Sequence, residues 1–171
     1  MAVMGVSEIR PERSDDVGGI RVVNLAAFDT ALEADLVDAL RQQASPVISL
    51  VAEQAETIVG HILFSPVTLS GHPDLTLVGL APMAVVPSHQ RRGIGSALVR
   101  AGLDACRTFD AVVVLGHAGY YPRFGFVPAS RFGIRCEYDV PDDVFMVRET
   151  VPGRLDGTHG TIRYHAAFGA V

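Results

Sequence analysis

Residues 85–102 read VVPSHQRRGIGSALVRAG, and they predict a β-strand that passes through a glycine-rich turn into a helix. The apolar run before the turn ends at Pro87, and from Ile94 onward apolar residues recur at helical spacing. The turn itself contains Gly93 and Gly95, preceded by two arginines. Because the first amides of a helix lack intrahelical partners and lie at the positive end of its dipole, such a turn predicts a site for a diphosphate or a similar anion.

Two common nucleotide-binding motifs do not fit this turn. A P-loop requires a lysine directly after its last glycine, and Gly95 is followed by Ser96. A dinucleotide-binding GxGxxG motif requires a small residue at Leu98 and an acid about 20 residues further on, at the end of a strand. Asp110 instead precedes its predicted strand. Both motifs are therefore excluded.

The remaining chain alternates strand-like and helix-like segments, which predicts a mixed α/β domain. We expect a first strand in residues 7–13, a helix capped by Ser14 that runs towards Phe28, and a second helix over 33–43. A hairpin is expected from residues 46–54 and 57–69. The later segments are predicted strands over 76–86 and 111–116, one helical turn before a strand at Phe126, and short strand-like pieces within 144–149 and 161–168.

Pro82 lies inside the predicted strand over residues 76–86. Proline has no backbone N–H and cannot donate to a sheet ladder. We therefore expect this strand to be bulged, or unpaired on one side, near Pro82.

Composition predicts one cytoplasmic domain over residues 1–171. The chain is 49% hydrophobic, its net charge of −5 argues against a nucleic-acid partner, and its two cysteines have no CxxC spacing. We expect no secretory leader in residues 1–16 and no apolar run long enough to cross a membrane. The six histidines show no HxxxH spacing, so no metal site is expected.

The glycine-rich turn resembles the pyrophosphate loop of the Gcn5-related N-acetyltransferase (GNAT) family, [QR]-x-x-G-x-[GA]. Gln90, Gly93 and Gly95 match that pattern. Residues 80–95 (LAPMAVVPSHQRRGIG) and 114–130 (VLGHAGYYPRFGFVPAS) also resemble segments of bacterial members with a YYxRFGF sequence. The tail FMVRE…PGRLDGTHGTIRYHAAF resembles their ending, so the likeness extends from about residue 7 to the end.

The resemblance implies a central, mostly antiparallel, twisted sheet with helices on both faces and one splayed pair of parallel strands. Acetyl-CoA would lie between these two strands as cosubstrate, without a metal. The backbone of residues 83–85 would pair with the pantetheine arm, and the amides of residues 91–96 would hold the pyrophosphate. The implied cofactor-binding residues are Met83, Ala84, Val85, Gln90, Arg91, Arg92, Gly93, Ile94, Gly95 and Ser96.

The resemblance also implies direct attack of a neutral amine on the thioester. Tyr121, five residues before Phe126, is the expected general acid, and Tyr120 is the alternative. His61 and His117 are candidates for the general base. Glu33 or Glu149 acting through water, or a water chain alone, are further alternatives for the base.

The expected function is therefore transfer of an acetyl group from acetyl-CoA to a primary amine, carried by a small molecule or a peptide. Two alternatives stay open: an acyl-CoA-binding sensor without turnover, and an acyltransferase that uses a longer acyl-CoA. No membrane partner is expected. By resemblance, the tail from Val144 either forms a homodimer or closes the acceptor site.

Overall fold

The structure, a computed structural model, describes residues 7–170. Residues 1–6 of the segment 1–16, in which no secretory leader is expected, lie outside these residues. The described chain forms three α-helices: α1 (Val17–Ala27), α2 (Leu32–Gln43) and α3 (Ile94–Ala105). None of the helices in this range is long and apolar enough to cross a membrane.

Within residues 7–170 the chain also forms nine strands, which join in one sheet of order β1-β2-β3-β4-β5-β8-β6, with β9 pairing to β3 and β7 pairing to β9. Most neighbours are antiparallel, while β4 and β5, and also the short strands β7 and β9, run parallel. The expected fold class is therefore confirmed. The strands are β1 (Glu8–Pro11), β2 (Ile48–Gln54), β3 (Thr57–Leu69), β4 (Leu77–Val85), β5 (Ala111–Leu115), β6 (Val127–Pro128), β7 (Ile134–Cys136), β8 (Phe145–Glu149) and β9 (Gly160–Arg163).

Helices cover both faces of the sheet, and the alternation of side chains along β3 explains how. Ile62 and Phe64 point to the face covered by α3, where they join a core that includes Leu98. Leu63 points to the other face and packs with Ile20 of α1. The long apolar run of β3 therefore contributes to cores on both sides of the sheet.

The parallel strands β4 and β5 separate part-way along their length. Pairing between β4 and β5 ends at Leu80 and Val114, although β4 continues to Val85. On its other side β4 stays paired with β3, with an irregularity in register opposite the segment that contains Pro82. The predicted disturbance at Pro82 is confirmed. We refer to the space beyond Val114, on the β5 side of β4, as the gap.

The predicted N-cap at Ser14 is wrong. Ser14 belongs to a single 3₁₀ turn, and α1 begins at Val17. The turn is held instead by Asp16, whose carboxylate accepts hydrogen bonds from the Arg13 amide (2.6 Å) and the Arg10 guanidinium (2.7 Å). The hydrogen bond from Arg10, helped by the one from the Arg13 amide, lowers the pKa of Asp16 to about 2, although burial of the carboxylate opposes this effect.

The last third of the chain departs from prediction in three details. The strand-like piece expected over 161–168 is a strand only as far as Arg163, and residues 166–170 form a 3₁₀ turn. The predicted helical turn before Phe126 is a 3₁₀ turn over Tyr121–Phe124, and the strand after it, β6, begins at Val127. Strand β7 was not predicted. It is only three residues long, and its single pairing is to β9, 26 residues further along the chain by register (Ile134 with Gly160).

Close packing of α3 on β3 leads to a stability prediction. A Cβ atom at Gly102 would lie 2.3 Å from the Phe64 ring, whereas one at Gly18 of α1 would have no neighbour within 4 Å. We expect Gly102→Ala to lower the free energy of unfolding by roughly 2 kcal/mol through overpacking. Gly18→Ala, the matched control, should raise it by about 0.5 kcal/mol through helix propensity. Urea denaturation measures both, and equal effects would contradict the packing argument.

Candidate active site

The free edge of β4 is the first component of the site. Met83, Ala84 and Val85 pair with β3 on one side. On the gap side they have no strand partner among residues 7–170, because the β5 pairing has already ended. Backbone polar groups on such an edge are available to an extended ligand, which can add to the sheet like another strand.

The N-terminus of α3 is the second component, and it lies beside this edge. Gly93 has a φ of 85°, a left-handed conformation that glycine adopts without strain. The Ala97 amide donates to the Gly93 carbonyl at 3.0 Å, as the first hydrogen bond of the helix. The amides of residues 94–96 precede it, so they are free to bind an anion at the positive end of the helix dipole.

The two components meet at a cleft of about 410 Å3, which we call the loop cleft. It is lined by Val85, His89, Gln90, Arg91, Gly93, Gly95, Ser96, Tyr120 and Arg123. Six of these residues belong to the predicted cofactor set. Of the other predicted residues, Met83 reaches within 3.5 Å of the Cβ position of Gly95, while Ala84 and Ile94 are buried and Arg92 is exposed on the turn.

Gln90 is part of the glycine-rich turn and stabilises it. Its side-chain amide donates to the Val85 carbonyl at 2.9 Å, which joins the end of β4 to the start of the turn. Arg91 then adopts a positive φ of 62°. We conclude that Gln90 shapes the turn, and that Arg91 contributes its positive charge at the wall of the cleft.

Three residues of the loop cleft were not assigned to cofactor binding from the sequence. His89 belongs to the turn itself, while the other two, Tyr120 and Arg123, come from a distant segment. The hydroxyl of Tyr120 lies 3.0 Å from the Ser96 hydroxyl, which joins the segment after β5 to the first turn of α3. Arg123 donates to the Tyr120 carbonyl at 3.0 Å, and its guanidinium lies 4.7 Å from the centre of the Tyr120 ring. The YYPRFGF segment contained both residues, but their contact with α3 depends on tertiary packing.

Tyr121 lies at the β5 side of the gap. A Cβ atom at Gly116, the residue after β5, would lie 2.2 Å from its ring, so only glycine permits this packing. The ring also meets Phe126 edge-on, with centroids 5.7 Å apart. Burial, and to a lesser extent Tyr120, raises the pKa of Tyr121 to about 12, so the phenol keeps its proton at neutral pH.

His61 is buried on the face of the sheet that α1 covers, opposite Ala84 in register. Its Nε2 lies 2.9 Å from the Ser49 hydroxyl, which itself donates to Glu12. The imidazole must therefore donate from Nε2, and its Nδ1 accepts from the Asn24 amide at 3.3 Å.

Both nitrogens of His61 are thus occupied inside the protein. Burial lowers the pKa of His61 to about 4, although Glu12 opposes this effect. The structure therefore assigns His61 to a buried hydrogen-bond network, and offers its nitrogens no contact with a substrate amine.

The other candidate bases lie in different places. His117 is exposed, two residues after the end of β5, and its carbonyl accepts the amides of Tyr120 and Tyr121. Glu149 pairs in register with Ala111, at the opposite end of β5 from the gap, and its carboxylate accepts the Leu155 amide at 2.9 Å. Glu149 is therefore too far from the gap to act there.

Glu33 is half-buried in the first turn of α2, where its carboxylate lies 3.5 Å from the Thr30 hydroxyl. Among residues 7–170 no group of three or more His, Cys, Asp or Glu side chains is placed to hold a metal ion.

Aromatic side chains lie next to the gap on the face of the sheet opposite α3. The Tyr164 ring lies 3.0 Å from the Cβ position of Gly79, which immediately precedes the last paired residue of β4. Tyr138 stacks on Tyr164 with ring centroids 5.8 Å apart, and the centroid of the Phe168 ring lies 5.0 Å from that of Tyr164. We call these three residues the aromatic wall. Burial raises the pKa of Tyr164, so its phenol is also neutral at neutral pH.

Known proteins are similar to this chain in sequence. A family model described as an acetyltransferase (GNAT) domain matches residues 46–128. The N-acetyltransferase YhbS of Escherichia coli is 36% identical, over 94% of this chain and 97% of its own. YjhQ, another E. coli N-acetyltransferase, is 42% identical, over 75% of this chain and 74% of its own.

The chain belongs to the GNAT family.

Solved structures agree with this assignment. The crystal structure of E. coli YhbS in complex with CoA has a TM-score of 0.89 and 34% identity, covering 95% of this chain and 92% of that one. A GNAT acetyltransferase from Brucella melitensis, in complex with acetyl-CoA, has a TM-score of 0.77 and 37% identity, covering 95% and 98%. The expectation of a GNAT acyltransferase is confirmed, and the expected splayed strands are present.

The position of His61 in this GNAT fold predicts a pH dependence of stability. Its ordinary pKa of 6.5 falls to about 4 on folding, so its contribution is complete above pH 6.5 and is lost as the pH falls towards 4. We expect wild type to lose roughly 3 kcal/mol over this range, and His61→Gln to lose much less. Urea denaturation at each pH measures the effect.

Replacement of the exposed histidine, His117→Gln, is the matched control and should keep the wild-type pH profile. If His61→Gln does not fold, an NMR titration of the wild-type imidazole answers the same question. Protonation of His61 at an ordinary pH near 6.5 would contradict its burial in the network.

Proposed function

We propose that this GNAT protein transfers the acetyl group of acetyl-CoA to a primary amine by direct attack in a ternary complex. The observation that carries this proposal is the meeting of a free β4 edge and a free α3 N-terminus at one cleft. An extended amide-containing chain suits the first, and a diphosphate suits the second. The CoA and acetyl-CoA held by two relatives support the same ligand here.

In this proposal the pantetheine arm lies along residues 83–85 and forms backbone hydrogen bonds with the gap side of β4. The pyrophosphate then lies at the amides of residues 94–96, where the helix dipole and the Arg91 guanidinium favour its negative charge. Arg92, exposed on the same turn, adds a second positive charge. The absence of a side chain at Gly95 keeps this end of the cleft open to phosphate oxygens.

The reaction requires three events at the gap. The amine nitrogen attacks the thioester carbon, the carbon–sulfur bond breaks with its electron pair on sulfur, and the thiolate takes a proton. N–H groups on the free edge of β4 are suitable donors to the oxygen that becomes negative during attack. The ammonium loses one proton to solvent before attack, and the second proton, lost from nitrogen after attack, restores the group that protonates sulfur.

Tyr121 is our proposed proton donor to the departing thiolate. It lies against Gly116 at the β5 side of the gap, and its raised pKa keeps it in the acid form. Tyr120 takes a different role in this proposal, because its hydroxyl is already directed to Ser96 at the phosphate end of the cleft. The alternative assignment of Tyr120 as general acid is therefore less well supported by the geometry.

The ammonium proton has no buried acceptor at the gap in this proposal. His61 is enclosed by Asn24 and Ser49, so we propose that bulk water accepts the proton, directly or through the exposed His117. Such a route requires no carboxylate on β4. The acceptor would approach over the aromatic wall, which lies on the face of the sheet opposite α3.

We further propose that the whole chain is one catalytic domain, located in the cytoplasm, since its two cysteines are free thiols. The homodimer that the family resemblance implies, like the chemical class of the amine, stays a prediction.

Tyr121→Phe and Tyr120→Phe form a matched pair that tests the assigned roles. Tyr121→Phe should lower kcat about 100-fold, because it removes the proton donor, with little change in acetyl-CoA affinity. Tyr120→Phe should weaken acetyl-CoA binding about fivefold, because it removes the contact with Ser96, with a smaller effect on kcat. Amine-dependent release of CoA thiol measures turnover, and calorimetry measures binding.

The assay should use a panel of small amines, aminoglycosides and peptide N-termini. Thiol release with one class identifies the acceptor, and the opposite pattern in the two variants would reverse the tyrosine roles. Tight acetyl-CoA binding without thiol release from any amine would contradict the enzyme proposal and favour a sensor. Faster release of CoA thiol from longer acyl-CoA thioesters would identify a longer acyl-CoA, rather than acetyl-CoA, as the donor.

A further inference from the structure

A second cleft, of about 380 Å3, lies on the α3 side of the sheet. It is formed by the C-terminal half of α3, the 3₁₀ turn over Tyr121–Phe124 and strand β8. We call it the arginine cleft, because the charged residues that line it are Arg100, Arg107, Arg123, Arg148 and a single acid, Asp104. Four positive charges thus meet one negative charge, in a chain whose net charge is −5.

Most of this positive charge is not neutralised within the protein. Arg107 contacts Asp104 at 3.5 Å, in an exposed pair. The guanidinium of Arg100 lies 5.3 Å from the centre of the Phe124 ring, and Arg123 donates only to carbonyl oxygens. Arg148 extends over the turn at Gly125. Among residues 7–170, Arg100, Arg123 and Arg148 form no ion pair.

Three arginines in another part of the protein have carboxylate partners. Arg10, Arg21 and Arg41 each contact two carboxylates, at distances of 2.7–3.0 Å. The arginine cleft leaves Arg100, Arg123 and Arg148 without such partners. Other exposed arginines, among them Arg131 and Arg163, also form no ion pair within residues 7–170, so the cleft is distinguished by bringing several free guanidinium groups together on one concave surface. Guanidinium groups with free donors that converge on a concave surface are suited to a doubly charged oxyanion, which accepts bidentate hydrogen bonds.

We propose that the arginine cleft is a binding site for a phosphate monoester. The cleft is concave and of limited volume, which favours a small ester over a nucleic-acid backbone. A phosphate monoester has two possible sources. One is the 3′-phosphate on the ribose of CoA itself, and the other is a separate phosphorylated molecule that binds beside the cofactor.

Arg123 connects this site to the cofactor. It lines both the arginine cleft and the loop cleft, where it lies over the Tyr120 ring that contacts Ser96. An anion bound between Arg100 and Arg148 therefore acts on the guanidinium that supports the phosphate end of the loop cleft. Occupancy of one cleft is thereby linked to affinity in the other, and the linkage is reciprocal.

The test compares CoA with dephospho-CoA, which lacks the 3′-phosphate, and follows with inorganic phosphate. Calorimetry gives the affinity of wild type, Arg100→Gln and Arg148→Gln for the first two ligands. An NMR titration with inorganic phosphate is then made on each protein saturated with CoA. Arg163→Gln removes an exposed arginine of β9, outside both clefts, and is the control for the change in net charge.

If the cleft holds the phosphate of CoA, wild type should prefer CoA over dephospho-CoA about tenfold. Each cleft variant should lose most of that preference, and Arg163→Gln should keep it. If the source is a separate molecule, wild type should bind CoA and dephospho-CoA equally. Inorganic phosphate should then bind the CoA-saturated protein, about tenfold more weakly in each cleft variant.

The proposal is overturned if both cleft variants match wild type and Arg163→Gln in every titration. This outcome is separate from failure of the proposed function. A protein that binds neither CoA nor dephospho-CoA would contradict the acetyltransferase proposal. A titration of the unliganded protein and the same variants with inorganic phosphate would then test, independently of CoA, whether the arginine cleft binds phosphate.

Discussion

The separation of β4 from β5 is the constraint on which the rest of the site depends. A central strand normally satisfies its backbone groups on both sides, but β4 loses its β5 partner beyond Leu80 while β3 continues to hold it. Pro82, which cannot donate a ladder hydrogen bond, lies just beyond this point, where the pairing with β3 also shifts in register. The remaining free groups of residues 83–85 form an edge inside the sheet, which an extended ligand can occupy without displacing any protein strand.

Packing beneath α3 determines what stands at the end of that edge. The Phe64 ring occupies the place where a side chain at residue 102 would be, so the helix lies close to the sheet. The N-terminus of α3 is consequently held beside Val85, and the Gln90 side chain closes the turn between them. Separately, the strand edge and the helix terminus are weak ligand sites. Together they form one cleft, and its two ends suit different parts of the same ligand.

The sequence predicts the parts of the site that are continuous in the chain. The strand interrupted by Pro82, the glycine turn and the start of α3 are local features, and each is present as expected. Contacts that join distant segments were not predictable in this way. Tyr120 reaches Ser96 across 24 positions, and no periodicity or motif encodes that distance.

The errors have the same origin. Ser14 has the usual chemistry of an N-cap, but Arg10 and the Arg13 amide converge on Asp16 and select a different start for α1. His61 resembled a possible base in sequence, and only the folded network of Ser49 and Asn24 shows that both its nitrogens are occupied. Side-chain function at such positions depends on partners that are distant in the sequence and meet only in the folded chain.

The most direct test of the account is amide hydrogen exchange, measured with and without acetyl-CoA. If the free edge and the helix terminus hold the cosubstrate, acetyl-CoA should slow exchange at the amides of residues 83–85 that face the gap, and at residues 94–96. Strand β1, which is separated from β4 by β2 and β3 in the sheet, should not change. Binding of acetyl-CoA without protection in either segment would contradict the central claim.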